Sequence, residues 1–182
     1  MGFFGLGTGY LIYGPQELFG FPIRDHAVDV GTGIWGIWMP GFMQLLAGTY
    51  LWVGLTWFHS FTDPILYMAA LAFTAYGVHW FAIGYNRAKG ADPRPNGFMA
   101  MAFTLISVLG AIVFFHGGDA GVGGLFIGLS LIYISDIAAS LKLGGNIGER
   151  ALGFFHLGTG LWLMYLMYGV ALDFASGFKL PV

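Results

Sequence analysis

The chain has 182 residues, of which 57% are hydrophobic, 18% aromatic and only 9% charged, with a mean hydropathy of +0.75. Soluble domains carry roughly 25% charged residues, so there are too few here to clothe a water-facing surface, and the chain reads as an all-α integral membrane protein of the cell (inner or plasma) membrane. A net charge of −2 without a basic patch excludes nucleic acid as a partner, and the lack of cysteine excludes disulfides, thiolate metal sites and a cysteine nucleophile.

Hydropathy and helix breakers divide the sequence into six expected spans, each near the roughly 20 residues that a bilayer core demands. The first runs from Gly2 to Leu18, with Gly14-Pro15 near its end. It lacks a basic leading region and a small-residue cleavage site, and so reads as a retained helix. The second, Gly31 to Trp57, contains Pro40 and Gln44, and the third runs from about Pro64 to Tyr85. The fourth covers Asn96 to Phe115, with Pro95 suited to its first turn; the fifth covers Val122 to Leu143 and the sixth Ala151 to Leu172. Short linkers make successive spans antiparallel neighbours, giving one six-helix transmembrane domain over residues 1–182.

The basic residues alternate between linkers. Arg24 follows span one, Arg87, Lys89 and Arg94 follow span three, and Lys142 and Arg150 follow span five. The linkers His59–Asp63 and His116–Gly121 carry neither Lys nor Arg. The positive-inside rule then places both termini outside, with Lys179 on the tail as the exception. Among the 31 glycines, Gly5 with Gly9 and Gly124 with Gly128 have the small-xxx-small spacing of close helix packing. Gly2-Phe3-Phe4-Gly5-Leu6-Gly7-Thr8-Gly9 nearly repeats as Gly153-Phe154-Phe155-His156-Leu157-Gly158-Thr159-Gly160. These copies open the first and last spans, which run in opposite directions, so a duplication of three-span halves does not account for them.

The third span carries the densest chemistry. Phe73, Tyr76 and Trp80 stand at i, i+3 and i+7 and share one helix face, with His79 on a neighbouring stripe. Polar groups at membrane depth are costly without a partner or water, and so face a bundle interior or a wet route. The predicted topology puts His79, Asp136 and His156 at a common depth, roughly 9–10 Å inside the inner boundary. Glu17 lies nearer that surface and Gln44 near the middle of span two. Such a layer fits either a solute or proton route or a His–Asp hydrogen bond that locks the bundle. No Arg or Lys falls at that depth. On the outer face, His59 with Asp63 and His116 with Asp119 are candidates for sensing external pH.

Two histidines at equal depth could also ligate a b-type haem, but no haem-anchor motif accompanies them. A non-transporting structural subunit is a further alternative. There is no P-loop, HExxH or Ser-His-Asp order, and Gly5-Leu6-Gly7-Thr8-Gly9 follows no strand, so neither enzyme activity, nor a metal site, nor a cofactor is expected.

Pro40-Gly41-Phe42-Met43-Gln44-Leu45-Leu46-Ala47-Gly48 is similar to the second-span pattern of the acetate uptake transporter family, the YaaH-type acetate/succinate permeases. Ala72-Phe73-Thr74-Ala75-Tyr76-Gly77-Val78-His79-Trp80 resembles their third-span pattern, Ala-Phe-Ser/Thr-x-Tyr-Gly-x-Phe-Trp, with His79 where the family prefers phenylalanine. The resemblance implies a homo-hexamer in the lipid bilayer, with a pore in each six-helix protomer that passes small monocarboxylates. It further implies an apolar constriction containing Tyr76, an aromatic near Phe4 or Leu6 and a leucine near Leu129 or Leu131, with Gln44 at the family glutamine. The family's helix-one Asn-Pro-Ala-Pro-Leu-Gly-Leu signature is missing. Outside tails and basic linkers resemble instead the amide/urea channel family of the AmiS/UreI type, in which His156 would fall near a last-helix glutamate. The expectation is a channel or proton-coupled permease for acetate or another short monocarboxylate, with urea or a short amide as the alternative. Phe73, Tyr76 and Trp80 would then line the constriction, and His79, Asp136, His156 and Gln44 would supply polar contacts.

Overall fold

A computed structural model describes residues 1–181, and among these there is no strand. The helices are α1 (Gly2–Phe19), α2 (His26–Gly36), α3 (Met43–Thr56), α4 (Ile65–Lys89), α5 (Arg94–His116), α6 (Ala120–Ser140) and α7 (Ile147–Ser176). Helices α4 to α7 are each long and apolar enough to cross a membrane. Large apolar side chains such as Leu105, Ile112, Phe154 and Leu161 are turned outward. That is the surface an integral membrane protein offers to acyl chains.

Local chemistry sets the ends of these helices. Asp25 caps α2 by accepting from the Val28 N–H at 2.8 Å, and Asp119 caps α6 by accepting from Val122 N–H at 2.8 Å. Helix α4 stops at Gly90, in the left-handed conformation that glycine adopts without a Cβ penalty. Arg87 and Lys89 fill its last turn, where cations complement the helix dipole.

Between α2 and α3 the helix does not break. It widens into a π-helical turn, Ile37–Phe42, around Pro40. Proline lacks the N–H of the α-helical ladder and crowds the carbonyl four residues back, and the wider turn accommodates both faults. Pro40 is also clamped by α1: a Cβ added to Gly9 would lie 2.7 Å from its ring.

Glycines set the antiparallel packing. A Cβ on Gly33 would sit 2.4 Å from the Gly84 carbonyl oxygen, and one on Gly84 would sit 2.5 Å from that of Gly33, so α2 and α4 touch backbone to backbone. Gly7 meets Gly160 between the two near-repeats, and Gly14, beyond the first of them, meets Gly153, so α1 runs against α7 along glycines. Of the small-xxx-small pairs, Gly5 and Gly9 pack on Met39 and Pro40, and Gly128 packs on Thr159. Gly124 meets nothing within 4 Å.

Candidate functional site

A cavity of about 540 Å³ opens at the end of the bundle that carries the α1–α2, α4–α5 and α6–α7 linkers. Its lining runs from Arg24, Pro93 and Lys142 at the mouth down to Tyr10, His79 and Tyr133 at the floor. His79, Asp136 and His156 all border it.

The deep polar groups are paired differently from what depth alone suggests. His156 Nδ1 lies 2.5 Å from Glu17 Oε2, with both side chains at least nine-tenths buried. The Tyr10 ring stacks on the His156 imidazole at 4.6 Å. Asp136 instead accepts from the Ser140 hydroxyl at 2.7 Å, so the His–Asp lock is replaced by a His–Glu pair. Axial depth places three groups in one layer but does not say which faces meet. His79 Nδ1 lies 3.1 Å from the Tyr133 hydroxyl, and His79 Nε2 is buried with no partner.

The sequence reading places Glu17 near the inner surface without a partner, and it does not single out Tyr10 or Tyr13. The three stand at i, i+3 and i+7 on α1, the same spacing as Phe73, Tyr76 and Trp80, and that periodicity with a carboxylate on it was the available signal. One linker arginine is more enclosed than its place at the end of a span suggests. Arg87 folds back from the end of α4, leaving its side chain 9% exposed. Its guanidinium covers the Tyr13 ring at 4.4 Å, donates to Asp29 at 3.0 Å and donates to the Gln16 amide oxygen. Arg24 completes this group by donating to both Asp29 oxygens, at 3.1 and 3.3 Å. Partial burial raises the Asp29 carboxyl, but hydrogen bonds from Arg24 and Arg87 outweigh it and hold the group below its ordinary value.

A smaller cavity of about 240 Å³ lies at the opposite end, bordered by Phe3, Val122, Leu166 and the tail at Lys179 and Leu180. The two cavities share no lining residue. The helix between them is short: from Phe3 to Tyr10 on α1, Val122 to Ile132 on α6 and His156 to Leu166 on α7, the rise is roughly 10–15 Å. That interval on these helices holds Leu6, Leu125, Leu129 and Leu163, all buried.

The residues expected at a constriction divide by face. Leu6 and Leu129 are in this buried layer, which Ser130 and Thr159 share, whereas Phe4, at 41% exposure, and Leu131, at 37%, point out of the bundle. A shift of two helical positions turns a side chain to nearly the opposite side, so Phe4 and Leu131 are corrected to outward-facing positions. Tyr76 borders neither cavity. It is buried against α5, bonded to the Ser107 hydroxyl at 2.9 Å and packed on Phe103 and Tyr133. Phe73 packs on Phe3 toward the small cavity, and Trp80 packs on Tyr10 and Tyr13 at the large one. Gln44 is wholly buried, with both amide atoms unpartnered, and borders neither cavity.

The outer ionisable residues have structural contacts. Asp63 Oδ1 accepts from the Ile65 N–H at 3.0 Å, and Asp119 caps α6. His59 Nδ1 lies 3.1 Å from the Leu55 carbonyl, and His116 ends α5 exposed. Among the described residues neither histidine forms an ion pair with its neighbouring aspartate.

No protein-family model and no curated protein matches the sequence. Among solved structures, the bacterial acetate channel SatP superposes with a TM-score of 0.76 at 19% identity, over 100% of this chain and 96% of that one. The chain has that channel's fold. The likeness spans every helix, well beyond the second- and third-span motifs that pointed to acetate transporters.

Proposed function

We propose that this protein is a membrane channel for a small carboxylic solute, with acetate the leading candidate, built as one six-span domain with both tails outside. The observation that carries this reading is the pair of cavities at opposite ends of the bundle, separated by a thin leucine layer, in the fold of an acetate channel. In this reading Leu6 and Leu129 form the constriction and Tyr76 braces it from α5. His79, Asp136 and His156 are the polar contacts in the large cavity. Gln44 is an amide held at the level of the constriction, since Met43 packs on Gly5 of α1 and Leu45 on Gly77 of α4. A buried layer with no fixed cation suits passage, because binding there is weak enough for the solute to leave. Assembly as a homo-hexamer follows from the family resemblance, and proton coupling is compatible with the ionisable lining of the large cavity.

The test is flux into proteoliposomes of acetate, urea and glycerol in parallel, at a pH well above the carboxylate range so that free diffusion of the neutral acid is small. Acetate is expected to enter faster than into protein-free vesicles, and glycerol is not. Urea flux without acetate flux would move the assignment to the amide/urea class. No flux of any of the three would end the channel reading.

A further inference from the structure

We propose that His79 Nε2 is the donor of a solute subsite at the floor of the large cavity, for a small planar group with an sp² oxygen, a carboxyl or an amide. The proposal deepens the channel reading and rests on it. His79 is 5% exposed yet borders the cavity. The Tyr133 hydroxyl, 3.1 Å from Nδ1, has no other hydrogen-bond partner among the described residues. A phenol that donates to Nδ1 leaves no hydroxyl proton without an acceptor, and in that arrangement the imidazole carries its proton on Nε2. That N–H has no protein acceptor. Buried donors are nearly always satisfied, so an unpaired one on a residue that borders a cavity points to a ligand or a water that a small turn of the ring would admit.

The surroundings restrain the imidazole and favour a flat solute. Phe103 and Tyr133 hold the imidazole, with ring centroids at 4.5 and 5.5 Å, so the ring is packed in place before any solute arrives. Tyr10, Trp80 and Tyr133 supply aromatic walls around the same floor. The other unpartnered buried groups do not compete for this role. The Tyr13 hydroxyl is turned to α2, where a Cβ on Gly36 would lie 2.8 Å from it, and Gln44 borders neither cavity. His79 is one helical turn on the cavity side of Tyr76, so a solute held there would lie just beside the buried layer.

Two measurements on the intact protein test this. In protein labelled with ¹⁵N-histidine, the His79 Nε2 resonance, assigned by its loss in His79→Gln, is expected to shift and saturate as acetate is added. A parallel acetamide titration tells a carboxyl preference from an amide one. In proteoliposomes, His79→Phe is expected to raise the acetate concentration for half-maximal flux roughly tenfold, the loss of one hydrogen bond. Tyr133→Phe, which frees the tautomer, should raise it about twofold to threefold. A Nε2 resonance that stays fixed through both titrations overturns the subsite whatever the flux. An unchanged half-maximal concentration in both variants overturns it too. If His79→Phe does not fold, the titration of the unsubstituted protein decides. If the unsubstituted protein passes no solute, the channel reading fails separately.

Discussion

The two ends of the bundle solve the problem of polar atoms in lipid in opposite ways. At the large cavity, imidazoles, carboxylates and a guanidinium gather, and most are held by a named partner: His156 by Glu17, Asp136 by Ser140, and Arg87 by Asp29 and Gln16. At the small cavity Phe3, Val122, Leu166, Val170 and Leu180 make a largely apolar wall, with Asp119, Asp173 and Lys179 as its charged members. In the proposed channel the contrast divides discrimination from resistance. A paired polar wall can recognise a solute, and a buried layer can only slow it.

The sharpest way to break this contrast is to open the buried layer. Leu129→Ala should destabilise by about 2–4 kcal/mol through the cavity it leaves, and should raise acetate flux and let glycerol follow. Leu131→Ala, on the outer face two residues on, should stay within about 0.5 kcal/mol and leave flux unchanged. Equal effects of the two would show that the layer is not on the path. Next in size is the removal of a partner from the polar end. Glu17→Ala leaves a buried imidazole nitrogen without its partner, and is expected to cost about 1–3 kcal/mol, read as a fall in the thermal midpoint in detergent. Glu17→Gln, which keeps a hydrogen bond, should cost less. A Glu17→Ala protein as stable as its parent would reduce the polar end to wetted lining. The smallest effect concerns the rim. Asp29 has a lowered carboxyl, so its contribution is present above its ordinary value near pH 4 and disappears as pH falls through its lower folded value. Asp29→Asn is expected to be about 1–2 kcal/mol less stable at neutral pH. That gap should close as both proteins are titrated below about pH 4, and a gap independent of pH would sever Asp29 from the arginines.

Much of this arrangement was legible in sequence, because hydropathy and helix rise fix position along the membrane normal. Helix α4 was expected from Pro64 to Tyr85 and runs from Ile65 to Lys89, the extra turn being carried by Arg87 and Lys89 at the water boundary. His79, Asp136 and His156 were placed at one depth and do border one cavity. What depth leaves open is rotation about each helix and the reach of long side chains. That is why Glu17 rather than Asp136 meets His156, and why Arg87, counted as a linker charge, folds inward over Tyr13. Phe4 stands beside Leu6, and Leu131 beside Leu129, as open alternatives for the same reason: alignment to within two residues fixes a level, and not a face.

The π-helical turn at Pro40 has an effect felt one turn later. Each such turn takes in more residues than an α-helical one, so everything after Phe42 is wound back relative to a straight helix begun at His26. The azimuth of Gln44, and with it the sealing of its amide inside the bundle, is therefore dictated by a ladder fault several positions earlier. Ironing out that fault, by replacing Pro40 and restoring regular winding, would swing the amide toward a different neighbour without altering a single atom of the glutamine itself.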